Sequence, residues 1–193
     1  MNTPNKLTIA RIIATPVFMA ALMINFPFHY TVALVLFILA SLTDMWDGKM
    51  ARKYNLVTNF GKFLDPLADK MLTTSAFLGF IALGIGFEVT WITFIVLFRE
   101  FAISSVRLVS VSSGGKVIAA NIWGKLKTVS QMSAIIFALF AKVITSDLAL
   151  GGAVLAGVFE IITSVLLWAS AVLCIISGAI YLIESKDIID PSK

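Results

Sequence analysis

The chain has 193 residues, of which 59% are hydrophobic and only 13% are charged, whereas an average soluble domain carries about 25% charged residues. This composition excludes an ordinary soluble protein and predicts an integral membrane protein with a single domain over residues 1–193. The net charge of +4 comes without a basic segment interleaved with aromatic residues, so no nucleic-acid partner is predicted. The single cysteine, Cys174, and single histidine, His29, are too few for a classical zinc site.

Six apolar runs approach the length of about 20 residues that a helix needs to cross a bilayer. The first run resembles a signal peptide, but no small-residue cleavage site follows it and further apolar runs do, which favours an uncleaved helix. A polar tail is predicted at about 184–193. We therefore predict an all-α bundle of six transmembrane helices at about 9–26, 30–49, 66–86, 89–111, 126–144 and 153–182.

The connections between these runs alternate in charge. The segments "NFPFH", "GIGFE" and "ITSDLALGG" carry little positive charge, whereas "KMARKYNLVTNFGK" and "SSGGKVIAANIWGKLK" carry much of it. Because basic loops stay on the cytoplasmic side, both termini are predicted to be cytoplasmic in a multi-pass protein of the cell membrane. Basic loops on that side also suit anionic lipid headgroups or a substrate that carries phosphate.

Four aspartates flank the first basic connection. Asp44 and Asp47 are three residues apart and share a helix face. Asp65 and Asp69 are four residues apart and also share a face, so a helical hairpin would bring the four together near the cytoplasmic edge. Pro66 leaves a second possibility, in which Asp65 caps a helix that starts at Pro66.

Acidic side chains cost free energy in a membrane helix, and four unpaired anions would repel one another. A divalent cation relieves both costs, and a site made only of oxygen ligands favours Mg²⁺ or Mn²⁺. The alternative is that the aspartates are solvated helix caps, which is a common role for any one of them alone. Their convergence on facing helices favours the metal site, with the active site at the cytoplasmic side.

The residues around the aspartates are compatible with a phosphate ligand. Gly48 permits close approach of a ligand or of a neighbouring helix. Arg52 is suited to pair with phosphate or to anchor the helix at the membrane surface. Thr58 offers a hydroxyl in the connecting loop, or has a simple loop role.

These residues belong to a spaced pattern, Asp44-x2-Asp47-Gly48-x2-Ala51-Arg52-x8-Gly61-x3-Asp65-x3-Asp69. A lone DxxD would be a weak signal, whereas eight positions at set spacing are specific. The pattern resembles the signature of the CDP-alcohol phosphatidyltransferase family. The segments "PNKLTIARI" and "FREFAISSVRLVSVSSGGKVIAANIWGKLKT" are most similar to bacterial members that use sn-glycerol 3-phosphate as the acceptor.

The resemblance implies transfer of the phosphatidyl group from CDP-diacylglycerol to sn-glycerol 3-phosphate, with CMP as the second product. It also implies a homodimer. Asp44, Asp47, Asp65 and Asp69 would ligate the metal, and Asp69 would also act as the general base. The resemblance further implies that the residues approaching the cytidine nucleotide are Asn5, Thr8, Gly48, Arg52 and Thr58.

The phosphorylated acceptor is a dianion near neutral pH and needs cationic partners. The candidates in the region of the fourth and fifth runs are Arg107, Lys116, Lys125 and Lys127, although membrane anchoring is an alternative for Lys116 and Lys127. Arg99 lies deeper in its run, next to Glu100, and is expected either in an ion pair with an acid or at the substrate.

Three other functions compete with this interpretation. A related enzyme would use inositol phosphate, serine or phosphatidylglycerol as the acceptor. A small cation transporter would place its acids near the middle of the membrane rather than at one edge. A purely structural membrane protein would give no reason for the spaced pattern.

Overall fold

The computed structural model describes residues 2–53, 58–112 and 122–185. No strand occurs in these ranges, and a π-helical turn at Val143–Asp147 extends the fifth helix. The all-α prediction is therefore confirmed, with six helices in the described residues. They are α1 Thr3–Met23, α2 His29–Lys53, α3 Asn59–Leu83, α4 Val89–Ser112, α5 Ile122–Lys142 and α6 Gly152–Glu184.

Local caps determine where α1 and α3 begin. The Asn2 side chain accepts a hydrogen bond from the Asn5 N–H at 3.3 Å, and Thr58 caps α3 in the same way, which satisfies N–H groups that lack a partner in the helix. Pro66 lies inside α3, so the alternative in which Asp65 caps a helix starting at Pro66 is wrong. The helix ends at Gly84, whose φ of 62° suits glycine.

The helices pack in two groups that share one core. Helix α1 packs against α2 and α3, α6 packs against α4 and α5, and contacts of α2 with α5 and of α3 with α4 join the groups. Cys174 lies in this core as a small packed side chain. Large side chains that are almost fully buried fill the centre, among them Phe18, Leu22, Phe37, Leu72, Phe77, Phe80, Ile92, Ile135, Leu139 and Leu167.

The outer surface exposes larger apolar patches than are usual for a soluble monomer. Along α4, four aromatic side chains are each at least 60% exposed: Trp91, Phe94, Phe98 and Phe101. Within the described residues, three helical segments are long and apolar enough to cross a membrane, namely Asn5–Met23, Ile122–Asp147 and Gly152–Glu184, and His29–Asp44 is a shorter apolar helix. Charged residues interrupt the apolar stretches of α3 and α4.

The antiparallel course of the helices gives the bundle two different ends. At one end, the start of α1 meets the end of α2 and the start of α3. At the other end, Asp147 Oδ2 accepts hydrogen bonds from the Thr31 N–H and hydroxyl, both at 2.7 Å, and Trp168 Nε1 donates to the Phe87 carbonyl at 3.1 Å. We call the end at which α1, α2 and α3 meet the acidic end, because Asp44, Asp65 and Asp69 lie there.

Candidate active site

The start of α1 contacts the start of α3 through two polar side chains. Asn5 Nδ2 donates to Thr58 Oγ1 at 3.0 Å, and Thr58 Oγ1 accepts from the Gly61 N–H at 3.0 Å. A Cβ atom at Gly61 would lie 2.9 Å from Asn5 Oδ1, so this position leaves no room for a side chain unless Asn5 moves. The structure thus brings together two of the residues predicted to approach the nucleotide.

Two of the four predicted metal ligands are held by α1. Thr8 Oγ1 donates to Asp65 Oδ1 at 2.8 Å. Arg11 donates from its guanidinium to Asp44 Oδ1 at 2.5 Å, and the Arg11 side chain is only 1% exposed. Helix α1 therefore contributes a hydroxyl and a buried cation to acids on two neighbouring helices.

Asp69 lies one turn after Asp65 on α3 and is exposed. Its carboxylate is close enough to Asp44, Arg11 and Lys127 for electrostatic interaction with each. The predicted general base thus lies near both an acid of α2, Asp44, and a cation of α5, Lys127.

Several predicted site residues lie outside the described part of the structure. The helical backbone of α2 is described through Lys53, which places Asp47 one turn after Asp44. The side chains of Asp47 and Arg52 and the surroundings of Gly48 are outside the described residues, as is the whole of Lys116.

The donor chemistry of the acidic end fits a hard divalent cation, since carboxylate oxygens are the ligands that such ions prefer. Among the described side chains, no three acids are close enough to form a metal site by themselves. Asp44 and Asp69 are close enough for electrostatic interaction, and the Asp47 side chain is outside the described residues. The residues that would hold an ion at this end are Asp44, Asp47, Asp65 and Asp69.

A second charged cluster lies beside the acids and is centred on Glu100 of α4. The Glu100 carboxylate contacts Lys127 of α5, Arg99 NH1 at 3.1 Å and Lys70 at 3.9 Å. Lys70 also contacts Ser104, and Arg99 NH2 donates to the Ser177 hydroxyl of α6 at 2.8 Å. We call Lys70, Arg99, Glu100 and Lys127 the Glu100 cluster, and it ties four helices together.

The predicted acceptor-binding cations occupy different environments. Lys127 is buried, with its side chain 9% exposed, whereas Lys125 and Arg107 are exposed. Arg107 is close enough to Lys70 for electrostatic interaction. Lys127 therefore contacts the polar network around Glu100. Arg99 pairs with Glu100, which was one of the two alternatives expected for Arg99.

Arg11, Lys70 and Glu100 were not among the predicted site residues. Each is an ionisable residue within a long apolar helix, and such residues are rare there and are usually functional or paired. Their partners are far away in sequence: Asp44 is 33 positions after Arg11, and Lys127 is 27 positions after Glu100.

Comparison with known proteins adds an independent line of observation. The profile of the CDP-alcohol phosphatidyltransferase family matches residues 1–177. Three relatives are each named CDP-diacylglycerol–glycerol-3-phosphate 3-phosphatidyltransferase. The Bacillus subtilis protein is 43% identical over 69% of this chain and 74% of its own length. The Rickettsia bellii protein is 39% identical over 93% of each chain.

The third relative, from Yersinia enterocolitica, is 32% identical over 99% of each chain. The family profile, at residues 1–177, includes the acidic end and the Glu100 cluster. The chain therefore belongs to the CDP-alcohol phosphatidyltransferase family.

Proposed function

We propose that this membrane protein transfers the phosphatidyl group of CDP-diacylglycerol to sn-glycerol 3-phosphate, giving phosphatidylglycerophosphate and CMP in phospholipid biosynthesis. The names of relatives that match over most of the chain support this reaction. The structural observation that carries it is the meeting of acids and cations at one end of the bundle: Arg11 pairs with Asp44 and Lys127 pairs with Glu100. Asp69 is close enough to Asp44 and Lys127 for electrostatic interaction with each. A diphosphate donor and a phosphate-bearing acceptor need such adjoining regions.

The family is generally dependent on a divalent metal, and we propose Mg²⁺ or Mn²⁺ held by Asp44, Asp47, Asp65 and Asp69. When bound, the ion would neutralise the donor diphosphate and stabilise the departing CMP. Support for this ligand set comes from the hydrogen bond of Thr8 to Asp65 and the ion pair of Arg11 with Asp44, which hold two carboxylates at the same end.

Asp69 is the proposed general base. It would accept the proton of the glycerol hydroxyl as that oxygen attacks the phosphorus carrying the diacylglycerol, while the bond to CMP breaks. A positioned base contributes about 10²–10⁴-fold to the rate. Because an aspartate is a weak base, its position matters more than its basicity, and electrostatic stabilisation of the diphosphate is the larger contribution.

The two substrates would bind on opposite sides of Asp69. Asn5, Thr8 and Thr58 line the side near α1, where the nucleotide would lie together with Gly48 and Arg52. Lys127 belongs to the Glu100 cluster, and the proposal assigns this cluster to the acceptor. The acceptor phosphate would be bound there by Lys127, Lys125, Arg107 and Lys116.

The membrane arrangement is proposed from charge. Three segments long and apolar enough to span a bilayer support membrane insertion, and we propose that all six helices cross it, with both termini in the cytoplasm. The basic connections on the side of the acidic end favour this orientation. The proposal includes a single domain over residues 1–193, with a polar tail at 184–193, and a homodimer.

The experiment is a reaction of the purified protein in detergent with CDP-diacylglycerol and radiolabelled acceptors. Metal-dependent release of CMP with sn-glycerol 3-phosphate, in the absence of any membrane gradient, is the expected result. Preference for inositol phosphate, serine or phosphatidylglycerol would overturn the acceptor assignment. Failure to release CMP with any acceptor would favour the transporter alternative.

A pair of matched variants tests the base. Asp69→Asn should lower turnover by at least about 100-fold without changing the elution of the protein on size exclusion. Asp147→Asn, the same change at the opposite end of the bundle, should leave turnover close to wild type. Comparable activity of the two variants would remove Asp69 from its role.

A further inference from the structure

We propose that Arg11 is a positioning residue for the metal site: it orients the Asp44 carboxylate so that one oxygen is held and the other is presented to the ion. The inference rests on the proposed function, in which Asp44 is a metal ligand. Arg11 belongs to neither the predicted metal ligands nor the predicted substrate-binding residues.

The geometry of the pair is asymmetric. The Arg11 side chain is 1% exposed, whereas that of Asp44 is 42% exposed. Arg11 NH1 donates to Oδ1 of Asp44 at 2.5 Å, and no described contact engages Oδ2. The buried guanidinium therefore holds one carboxylate oxygen from inside the bundle, while the Asp44 side chain as a whole stays partly exposed.

Thr8 repeats this arrangement one turn earlier on α1. It is 1% exposed and donates to Oδ1 of Asp65 at 2.8 Å. Residues three apart share a helix face, so a single face of α1 hydrogen-bonds one acid of α2 and one acid of α3. Partners of this kind orient metal ligands, and their loss commonly weakens metal binding or activity by about 10- to 100-fold.

Arg11 has a simpler alternative role as a counter-charge that relieves repulsion among the acids. The two roles predict opposite effects on metal affinity. If Arg11 only neutralised the acids, its removal would make the site more negative and would tighten the binding of a cation. If Arg11 orients Asp44, its removal frees the carboxylate to rotate and weakens binding.

The experiment measures binding of Mn²⁺ alone to the purified full-length protein in detergent, using the electron paramagnetic resonance signal of the free ion. Neither CDP-diacylglycerol nor an acceptor is present, so the measurement does not depend on turnover. The variants are Arg11→Met, which removes the charge, and Arg11→Lys, which keeps it without the planar fork that holds a carboxylate. Lys6→Met is the matched control, because it removes one exposed cation from the same end of α1.

We expect Arg11→Met to weaken Mn²⁺ binding by about 10- to 100-fold, Arg11→Lys to weaken it less, and Lys6→Met to leave it near the wild-type value. Unchanged or tighter binding by Arg11→Met would overturn the positioning role. Absence of Mn²⁺ binding by the wild-type protein would instead overturn the proposed metal site itself, so the two failures are distinguishable.

A second variant covers the case in which Arg11→Met does not fold. Thr8→Val removes the hydroxyl that bonds Asp65 but keeps the shape of the side chain, and Thr8→Ser restores the hydroxyl. Weaker Mn²⁺ binding by the valine variant, with recovery in the serine variant, is expected if α1 orients the acids. Equal binding by both Thr8 variants would contradict it.

Discussion

Replacing Glu100 tests whether the Glu100 cluster is a stabilising network. The Glu100→Gln variant keeps the shape of the side chain but removes the carboxylate that contacts Lys127, Arg99 and Lys70. Three cations then lose their shared counter-charge in the interior of the bundle. Since Lys127 has the most buried side chain of the three, its desolvation dominates the expected cost.

The expected loss of stability in Glu100→Gln follows from the burial of the pair. The Lys127 and Glu100 side chains are 9% and 18% exposed, so water can replace little of the lost interaction. Removing one partner of a buried ion pair costs about 3–5 kcal/mol, and the partial exposure favours about 3 kcal/mol. At about 2–4 °C per kcal/mol for a chain of this length, Tm should fall by about 6–12 °C.

The assay is thermal unfolding of the purified protein in one detergent, followed by circular dichroism at a single scan rate. Glu160→Gln is the matched control, because Glu160 is exposed on α6 and has no ion pair among the described residues. Its Tm should change by no more than about 2 °C, since surface substitutions usually stay within about 0.5 kcal/mol.

A double variant separates loss of the pair from loss of packing. In Glu100→Gln with Lys127→Met, the most buried unpaired cation is also removed, so most of the lost Tm should return. A Glu100→Gln protein as stable as wild type would refute the network. A double variant that is less stable than the single one would show that Lys127 stabilises the bundle through other contacts.

Three further changes have specific expected outcomes. Arg107→Ala should raise the apparent KM for sn-glycerol 3-phosphate in steady-state kinetics, and an effect confined to CDP-diacylglycerol would place Arg107 on the other substrate. Gly79→Ala would put a Cβ atom 2.3 Å from Leu22 Cδ2, so overpacking should cost about 1–3 kcal/mol; an unchanged Tm would show that Leu22 moves aside. Asp147→Ala removes the acceptor of two Thr31 hydrogen bonds and should cost about 0.5–2 kcal/mol; a Tm equal to that of Asp147→Asn would contradict this.

The helical fold could be predicted because apolar runs long enough to span a bilayer leave few alternatives to a helix. The limits of the helices were less predictable. Helix α3 begins at Asn59 rather than near Pro66, since the Thr58 cap, and not hydrophobicity, determines its start. Helix α5 begins at Ile122 and continues into a π-helical turn, which no apolar pattern indicates.

The candidate site could be predicted only on the helices that carry the aspartates. Spacing along α2 and α3 indicates which acids share a face, and Asp44 does interact with Asp69. The partners from other helices, Arg11 and Thr8, depend on how α1 packs, and one chain's periodicity does not specify that packing. For the same reason Glu100 was seen only as a neighbour of Arg99.

The consecutive residues Asp69 and Lys70 connect the two charged regions. Asp69 interacts with Asp44 and Arg11 on the side of α1 and α2, whereas Lys70 contacts Glu100 and Ser104 of α4. Under the proposed function, the donor diphosphate belongs to the first region and the acceptor phosphate to the second. The attacking hydroxyl would then approach the diphosphate beside α3, where the Asp69 carboxylate is close to both Asp44 and Lys127. Its closeness to both regions is the reason for proposing Asp69 as the base.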